Sequence, residues 1–287
     1  MVATPIGNMA DITLRALHVL GLVDAVACED SRHTSQLMQT YGLHKPLMAV
    51  HMHNEREGAT KVLERLSKGE RVAYVSDAGT PGVSDPGAIL VATVSAAGYR
   101  VVPLPGASSI TTLISAWGQV SEHHEWASQG FRFVGFLPAK GGERVEALKQ
   151  LFKSPQSVIW LEAPHRLEKL AQEISVWGDR IVSIGRELTK RFEHVHTLKC
   201  FELPAWLSAD TQNQRGEFVF ALHPAPQKPI DDAVPVEVTN TLSTLLQHVP
   251  LKTAVQLTVA LTGVPKKLVY STALTLSADS GSKETDH

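Results

Sequence analysis

Short apolar runs alternate with helical stretches that stop at glycine through residues 1–118, and this alternation restricts the chain to an α/β fold. The runs Val2–Thr4, Ala25–Cys28, Leu47–His51, Val72–Ser76 and Val101–Pro103 are short and continuous, as strands buried on both faces are. Between them the spacing predicts helices over Ile12–Leu20, from Ser31 to near Gly42, and over Glu55–Lys68, Gly87–Ala97 and Ser108–Trp117. Asp11 and Ser31 are the expected caps of the first two, and Gly21, Gly69, Gly98 and Gly118 the expected left-handed stops. Strands joined through helices imply a largely parallel sheet with right-handed crossovers.

A second unit is expected from Phe131, after a polar stretch at Gln119–Gly130 whose SEHHEW cluster reads as linker or surface. Its predicted strands are Phe131–Phe136, Ser157–Leu161, Ile181–Ile184, His194–Leu198 and Phe218–Leu222, with helices over Glu143–Phe152 and Arg166–Trp177. Strands that follow one another near its end imply a mixed sheet. Pro224, Pro226, Pro229 and Pro235 mark a stiff linker. Beyond them Val238–Leu276 reads as short helices, with Lys252–Leu261, a turn at Thr262-Gly263-Val264, and a helix from Pro265 through Leu274. That pattern is similar to a helix-turn-helix. The tail Ser277–His287 is polar and expected to fray. The predicted domains are 1–118, 131–223 and 236–276, two α/β units and a small helical tail.

The charge balance narrows the partners. With a net charge of −2 over 287 residues, a uniform basic footprint is absent, so any RNA contact must come from local patches. The segment 238–276 is such a patch, holding Lys252, Lys266 and Lys267 and no acidic residue. Cys28 and Cys200 read as reduced thiols, the N-terminus carries no targeting pattern, and no run reaches the roughly 18 apolar residues of a membrane span. A cytoplasmic protein is expected.

Parallel α/β sheets bind ligands at the carboxyl ends of their strands. Three loops at such ends are unusual: Thr4–Asn8, Ser76–Gly87 and Leu104–Ser109. Each alone is explained equally well as a well-formed turn, but the three together favour a ligand site, with backbone amides at Gly106-Ala107-Ser108 opening a helix. No G-x-G-x-x-G follows the first strand and no G-x-x-x-x-G-K-[ST] occurs, which argues against a dinucleotide dehydrogenase or a P-loop NTPase. His51 with His53 and His194 with His196 share strand faces, but no third and fourth ligand stands at fitting spacing, so no metal is expected. His123-His124 reads as solvated linker, and Trp117, Trp160 and Trp177 as core.

The strings VATPIGN, DITLRAL, CEDSRHTS, HNE, VSDAGTPGVSDPG, VVPLPGASS, GFLPAKG, EAPHRL and GRELTKRFE occur in this order between about residues 2 and 222. In them the chain resembles the small-subunit ribosomal RNA ribose 2′-O-methyltransferases of the tetrapyrrole methylase superfamily. It departs from their usual pattern at Cys28, Ser31 and Ala163, with no ionisable group lost. The resemblance implies two α/β domains with S-adenosyl-L-methionine in the cleft between them, a homodimer, and methyl transfer to the 2′-oxygen of a cytidine in the decoding region of 16S rRNA. It carries cofactor contacts onto Asp77, Ala78, Gly79, Thr80 and Pro81, onto Gly106, Ala107, Ser108 and Ser109, and onto the start of the GREL string, with Pro5 and Gly7 lining the cleft.

A ribose hydroxyl is a weak nucleophile near neutral pH, so a proton acceptor or polarising group is wanted. Candidates are Glu29, Asp30, Glu162, His165 and Glu187. Arg32, Arg166, Arg186 and Lys190 suit phosphates of the RNA or 30S subunit, with Lys266 and Lys267 from the tail. Plainer readings stand beside these: Arg32 and Arg166 paired with nearby carboxylates, Arg186–Glu187 an interdomain ion pair, and His165 a helix cap. Two rival functions are a methylase of a small tetrapyrrole and a non-catalytic RNA-binding factor that retains the cofactor fold.

Overall fold

A computed structural model describes residues 1–118, 130–224 and 234–281. The expected linker with its SEHHEW cluster, most of the proline-rich stretch and the end of the tail lie outside the described residues. The chain divides into two compact units, Met1–Ala225 and Pro226–His287.

The first part of the larger unit runs α1 (Leu14–Leu22), β1 (Ala25–Cys28), α2 (Ser31–Thr40), β2 (Leu47–Ala49), α3 (Glu55–Ser67), β3 (Val72–Val75), α4 (Ala88–Ala96) and α5 (Ser109–Ala116). Its sheet is parallel in the order β2-β1-β3. All four residues of β1 are buried, as a central parallel strand requires. Two expected strands are not strands. Val2–Thr4 runs beside β3, and the segment from Val101 to Leu104 runs beside Val2, each through single rungs, with Val2 N donating to Tyr74 O at 2.8 Å and Leu104 N to Met1 O at 2.9 Å. Pro5, Pro103 and Pro105 supply no ladder N–H, so the pairing cannot propagate.

Caps also shift from the expected residues. Ile12 is extended, so α1 starts later, capped by Thr13, whose Oγ1 accepts from Ala16 N at 3.0 Å. Gly21 stays inside α1, which ends at Val23. Asp30, not Ser31, caps α2, accepting from Arg32 N at 2.8 Å. Gly58 sits within α3, where glycine costs about 1 kcal/mol relative to alanine. The reason is space: a Cβ there would stand 2.7 Å from Val50 Cγ2. The buried Glu55 carboxylate reaches from the start of α3 to the start of α4, accepting from Gly87 N at 2.9 Å and Leu90 N at 3.0 Å. It thereby satisfies helix-end donors that Gly87, lacking a side chain, leaves open.

The second part holds β4 (Phe131–Phe136), α6 (Gly141–Lys153), β5 (Ser157–Glu162), α7 (Leu167–Ser175), β6 (Ile181–Arg186), β7 (His194–Lys199), α8 (Leu203–Ala209) and β8 (Phe218–Leu222). The expected strands appear, while α8 was not predicted, because a proline stands at its N-terminal turn and the segment spans only 7 residues. The sheet order is β4-β5-β8-β6-β7, with β4 and β5 parallel and the remaining pairs antiparallel, so the mixed sheet is observed. Alternation along β5 divides its neighbours. Val158 and Trp160 join Leu151, Leu170 and Ile174 in the core beneath α6 and α7. Ile159 faces Leu113 and Trp117, so α5 packs on this sheet. Trp117 and Trp160 are buried and Trp177 packs against the core, which bears out their reading as core.

The smaller unit consists of α9 (Val236–Leu246), α10 (Leu251–Thr262) and α11 (Lys266–Gly281). Gly263 takes a left-handed φ of 69° between α10 and α11, the conformation the turn demanded. Leu242, Ala254, Val255, Val269 and Ala273 form its core. No helix among the described residues is long and apolar enough to cross a membrane.

Candidate active site

Within the larger unit, the loops after β3 and before α5 meet the carboxyl end of β5. They do so because the early loops are tied together. Thr4 and Gly79 exchange backbone hydrogen bonds at 2.9 and 3.0 Å, and Thr80 Oγ1 donates to Ala107 O at 3.2 Å. Gly7 lies so close to the Lys190 side chain that a Cβ there would clash, and Asn8 N donates to Thr189 Oγ1 at 3.1 Å. The first loop is thus docked on the turn between β6 and β7.

A cavity of about 370 Å³ lies between these elements. Ile6, Ala78, Gly79, Thr80, Val83, Ser84, Asp85, Ser108, Ser109 and Ile110 line one side. Phe136, Leu161, Glu162, Ala163, Pro164, Gly185, Leu188, Glu217, Phe218 and Val219 line the other. This volume is in the range of small-molecule sites, about 300–1,000 Å³, and an apolar wall with a few polar groups is their usual make-up. Ser84 holds a φ of 62°, uncommon for a residue with a side chain, in the loop that presents Asp85.

The predicted cofactor residues divide into two sets. Ala78, Gly79, Thr80, Ser108 and Ser109 line the cavity. Pro5, Gly7, Asp77, Pro81, Gly106 and Ala107 stand behind or beside that wall. Asp77 Oδ1 accepts from Asp30 N at 3.1 Å, and Gly106 fits against Ala3, whose Cβ would lie 2.7 Å from a Cβ at that position. They shape the loops more than they face the space.

The predicted proton acceptors are scattered. Only Glu162 lines the cavity. Its carboxylate is buried against Arg144 Nη2 at 3.3 Å, with Arg166 Nη1 at 3.7 Å. Glu29 is half-buried at the end of β1, where burial and then the Asp77 and Asp85 carboxylates push its pKa up. Asp30 is taken up by Arg32 in a pair at 2.8 Å, which holds its carboxyl down at about 2. Arg32 is 91% exposed there, so the plainer ion-pair reading describes both residues. His165 is exposed in the turn before α7 and lines a separate small cleft with Pro164, Leu167, Glu168 and Gln214. Glu187 has a φ of 49° and accepts from Glu217 N at 2.8 Å and from Lys190 Nζ at 2.9 Å.

The basic candidates are likewise engaged. Arg166 donates to Leu137 O at 3.1 Å besides approaching Glu162. Arg186 is buried and gives its hydrogen bonds to Arg215 O at 2.8 Å and Phe192 O at 3.1 Å. It serves the turns of its own sheet, where the sequence had also allowed an interdomain pair with Glu187. Lys190 bridges Glu187 and Glu217 at the cavity rim. Lys266 and Lys267 are exposed at the start of α11 in the smaller unit.

Sequence reasoning missed Asp85 as a lining carboxylate, and it missed the buried Arg144 that pairs Glu162 with the partly exposed Glu173. Asp85 had a signal, a second Ser-Asp in one long loop. Arg144 had none, since an arginine in a helical pattern reads as solvated. Among the described residues no group of three or more His, Cys, Asp and Glu side chains is arranged to hold a metal ion.

The comparisons with known proteins bear on the fold and the family. Residues 1–204 match the tetrapyrrole (corrin/porphyrin) methylases, and residues 232–277 match the RsmI C-terminal HTH domain. The ribosomal RNA small subunit methyltransferase I of Pseudomonas aeruginosa is 44% identical over 276 residues, covering 96% of this chain and 95% of that one. Its counterpart in Escherichia coli O157:H7 is 42% identical, covering 96% of this chain and 93% of that one. In fold the chain is similar to a cobalt precorrin-4 methyltransferase, at a TM-score of 0.57 and 18% identity over 77% of this chain and 92% of that one. It is also similar to the Thermus thermophilus uroporphyrin-III C-methyltransferase complexed with S-adenyl homocysteine, at 0.51 and 17% over 77% and 94%. The chain belongs to the tetrapyrrole methylase family and, within it, to the ribosomal RNA small subunit methyltransferase I group.

Proposed function

We propose that the protein transfers a methyl group from S-adenosyl-L-methionine to the ribose 2′-oxygen of a cytidine in the decoding region of 16S rRNA. We read it as a cytoplasmic homodimer whose domains are 1–118, 131–223 and 236–276. The observation that carries the reaction is the cavity at the strand ends. Its hydroxyls on Thr80, Ser108 and Ser109 suit a nucleoside and an amino-acid carboxylate, while Asp85 and Glu162 suit positive charge. That set of groups fits S-adenosyl-L-methionine, which when bound supplies an electrophilic methyl group.

The protein's own part is placement and exclusion of water. Ile6, Ile110, Leu161, Leu188 and Val219 dry the cavity. The Thr4–Gly79 and Thr80–Ala107 hydrogen bonds keep the loops from relaxing when a ligand enters. The decisive experiment is methyl transfer from labelled S-adenosyl-L-methionine to 30S subunits lacking the modification, followed by nucleoside analysis. 2′-O-Methylcytidine is the expected product; label on a base, or transfer only to a tetrapyrrole, would overturn the reading.

The helix-turn-helix of α10 and α11 supports RNA as the partner, with Lys252, Lys266 and Lys267 as its phosphate contacts. Replacing Lys266 and Lys267 with alanine in the full chain is expected to weaken 30S binding. The slope of log affinity against log salt should shrink by about 2, near one for each lost phosphate contact. An unchanged slope would remove these lysines from the interface.

A further inference from the structure

The second sheet ends on β7, whose far edge pairs with no strand among the described residues. Alternation along β7 sends Val195 to the α5 side and His194, His196 and Leu198 to the side that α8 covers. At Leu198 the cover is complete, with Leu203 and Leu207 beside it in the core. Toward the start of the strand it gives out. The His196 ring is half-buried and stacks on Trp206, with 5.7 Å between centroids and 12° between planes. His194 is exposed, its ring 5.4 Å from that of His196 and 6.2 Å from that of Trp206. Phe192, in the turn two residues earlier, is 63% exposed. Burial, and then the charge on His194, lower the His196 pKa, so that ring is neutral near pH 7 and offers a stacking face more than a charge.

Positive charge stands beside these rings. The Arg191 guanidinium lies over the Phe192 ring, 5.6 Å from its centroid, and Arg215 is exposed in the neighbouring turn. Neither guanidinium pairs with a carboxylate among the described residues. The carboxylates of Glu193, Glu202 and Asp210 are turned to backbone N–H groups, those of Thr189, Lys199 and Gln212. Arg186 holds the two turns together, donating to Phe192 O and to Arg215 O. The surface also connects to the cavity. Phe218, which lines it, Arg186 and His194 are register partners across β8, β6 and β7. Two strand spacings, about 10 Å, therefore separate the cavity wall from the first imidazole.

We propose that this surface holds single-stranded rRNA next to the methylated nucleotide, with bases stacked on Phe192, His194, His196 and Trp206 and phosphates on Arg191 and Arg215. The proposal rests on the rRNA reading and names a place for the RNA on the larger unit, independent of the tail lysines. Flat rings left open beside unpaired guanidinium groups are the two parts of a single-strand platform. A duplex hides its base faces in its own stack, so it can use the guanidinium groups but not the rings. An open strand edge can also recruit a second copy of the chain. That copy would bring its own cations to a surface already holding unpaired ones, whereas a polyanion neutralises them.

The experiment compares the full wild-type chain with F192A/H194A and with R191A/R215A, four exposed side chains whose loss leaves the core intact. Melting temperature and sedimentation confirm that each variant is folded and in the wild-type oligomeric state. Binding is then measured to oligocytidylate, to an RNA duplex and to unmodified 30S subunits over a range of salt. F192A/H194A is expected to bind oligocytidylate about 10-fold more weakly with an unchanged salt slope, and to bind the duplex as wild type does. R191A/R215A is expected to shrink the slope of log affinity against log salt by about 1.4, the value for two phosphates of a single strand. Wild-type affinity for oligocytidylate and 30S subunits in both variants would overturn the proposal, as would equal weakening toward single strand and duplex in F192A/H194A. A variant that loses RNA affinity only as its oligomeric state changes would overturn it too, because the surface would then join copies of the chain. If wild type itself binds neither 30S subunits nor oligocytidylate, the rRNA reading fails, a result distinct from any that the variants can give.

Discussion

Replacing Arg144 with methionine lowers the stability of the Met1–Ala225 unit by about 3–5 kcal/mol, the range for removing one partner of a buried ion pair. Arg144 is 1% exposed, although it lies in the first turns of α6. Its guanidinium meets Glu173 Oε2 at 2.7 Å and Glu162 Oε2 at 3.3 Å, and Nη1 donates to Pro138 O at 2.9 Å. Burial works against the charged guanidinium, yet Glu173 and Glu162 outweigh it and raise its pKa. Methionine fills similar space but leaves the buried Glu162 carboxylate with the longer Arg166 contact and the Ala163 N–H as its partners, both on one oxygen, and Pro138 O without its donor. The denaturant midpoint reads the loss. R144K should fall between, because an ammonium cannot serve two carboxylates and a carbonyl with one planar fork. The double variant R144M/E162Q should recover part of it, since both ends of one pair are then neutral. A midpoint shift worth under about 1 kcal/mol in R144M would show the network to be dispensable.

The same clamp has a bearing on the cavity. Arg144 fixes Pro138, Arg166 fixes Leu137, and both lie against Glu162. The segments they tie, around Phe136 and from Leu161 to Pro164, form one wall of the cavity. Stability and ligand affinity are therefore expected to fall together in R144M.

What was legible in the chain follows the range of each signal. Periodicity is local, so β1, β3, β5 and β8 were readable from their apolar runs, and Gly263 from the turn it must make. Val2–Thr4 and Val101–Pro103 carry strand composition, but their ladders are broken by prolines next door, a competition that composition does not display. Ligand loops could be recognised from glycine and proline spacing, and Ala78–Thr80 and Ser108–Ser109 do line the cavity. Which carboxylate stands free was not legible. Asp30 and Glu187 are consumed by Arg32 and Lys190, and Glu162 by an arginine 18 residues away in sequence. Pairings of that kind are set by tertiary packing, which a single sequence does not state.

Acid provides the second large effect, and it runs through His223. The His223 residue is buried at the end of β8, its Nε2 is 2.7 Å from Ser183 Oγ, and its ring lies 5.4 Å from that of Trp117. Burial, and then the nearby Arg180 guanidinium, lower its pKa from 6.5 to about 4. Arg180 is itself held in place, donating to His223 O at 2.9 Å and to Phe152 O at 2.8 Å, so it cannot withdraw when the ring gains a proton. The unfolded chain takes up that proton as pH falls through 6.5, and the folded chain only near 4. Within that window the unfolded state binds more protons, and stability falls as pH falls. At about 1.4 kcal/mol per pKa unit the whole loss is on the order of 3 kcal/mol, present in full below pH 4 and absent above 6.5. H223N keeps a hydrogen-bonding group toward Ser183 but has no charge to gain. Its stability should fall by about 3 kcal/mol less than wild type between pH 6.5 and 4, with His196, whose pKa burial also lowers, supplying part of what remains. If wild type and H223N lose stability in parallel across that window, the acid sensitivity of the unit lies in its other titratable groups and not in this histidine.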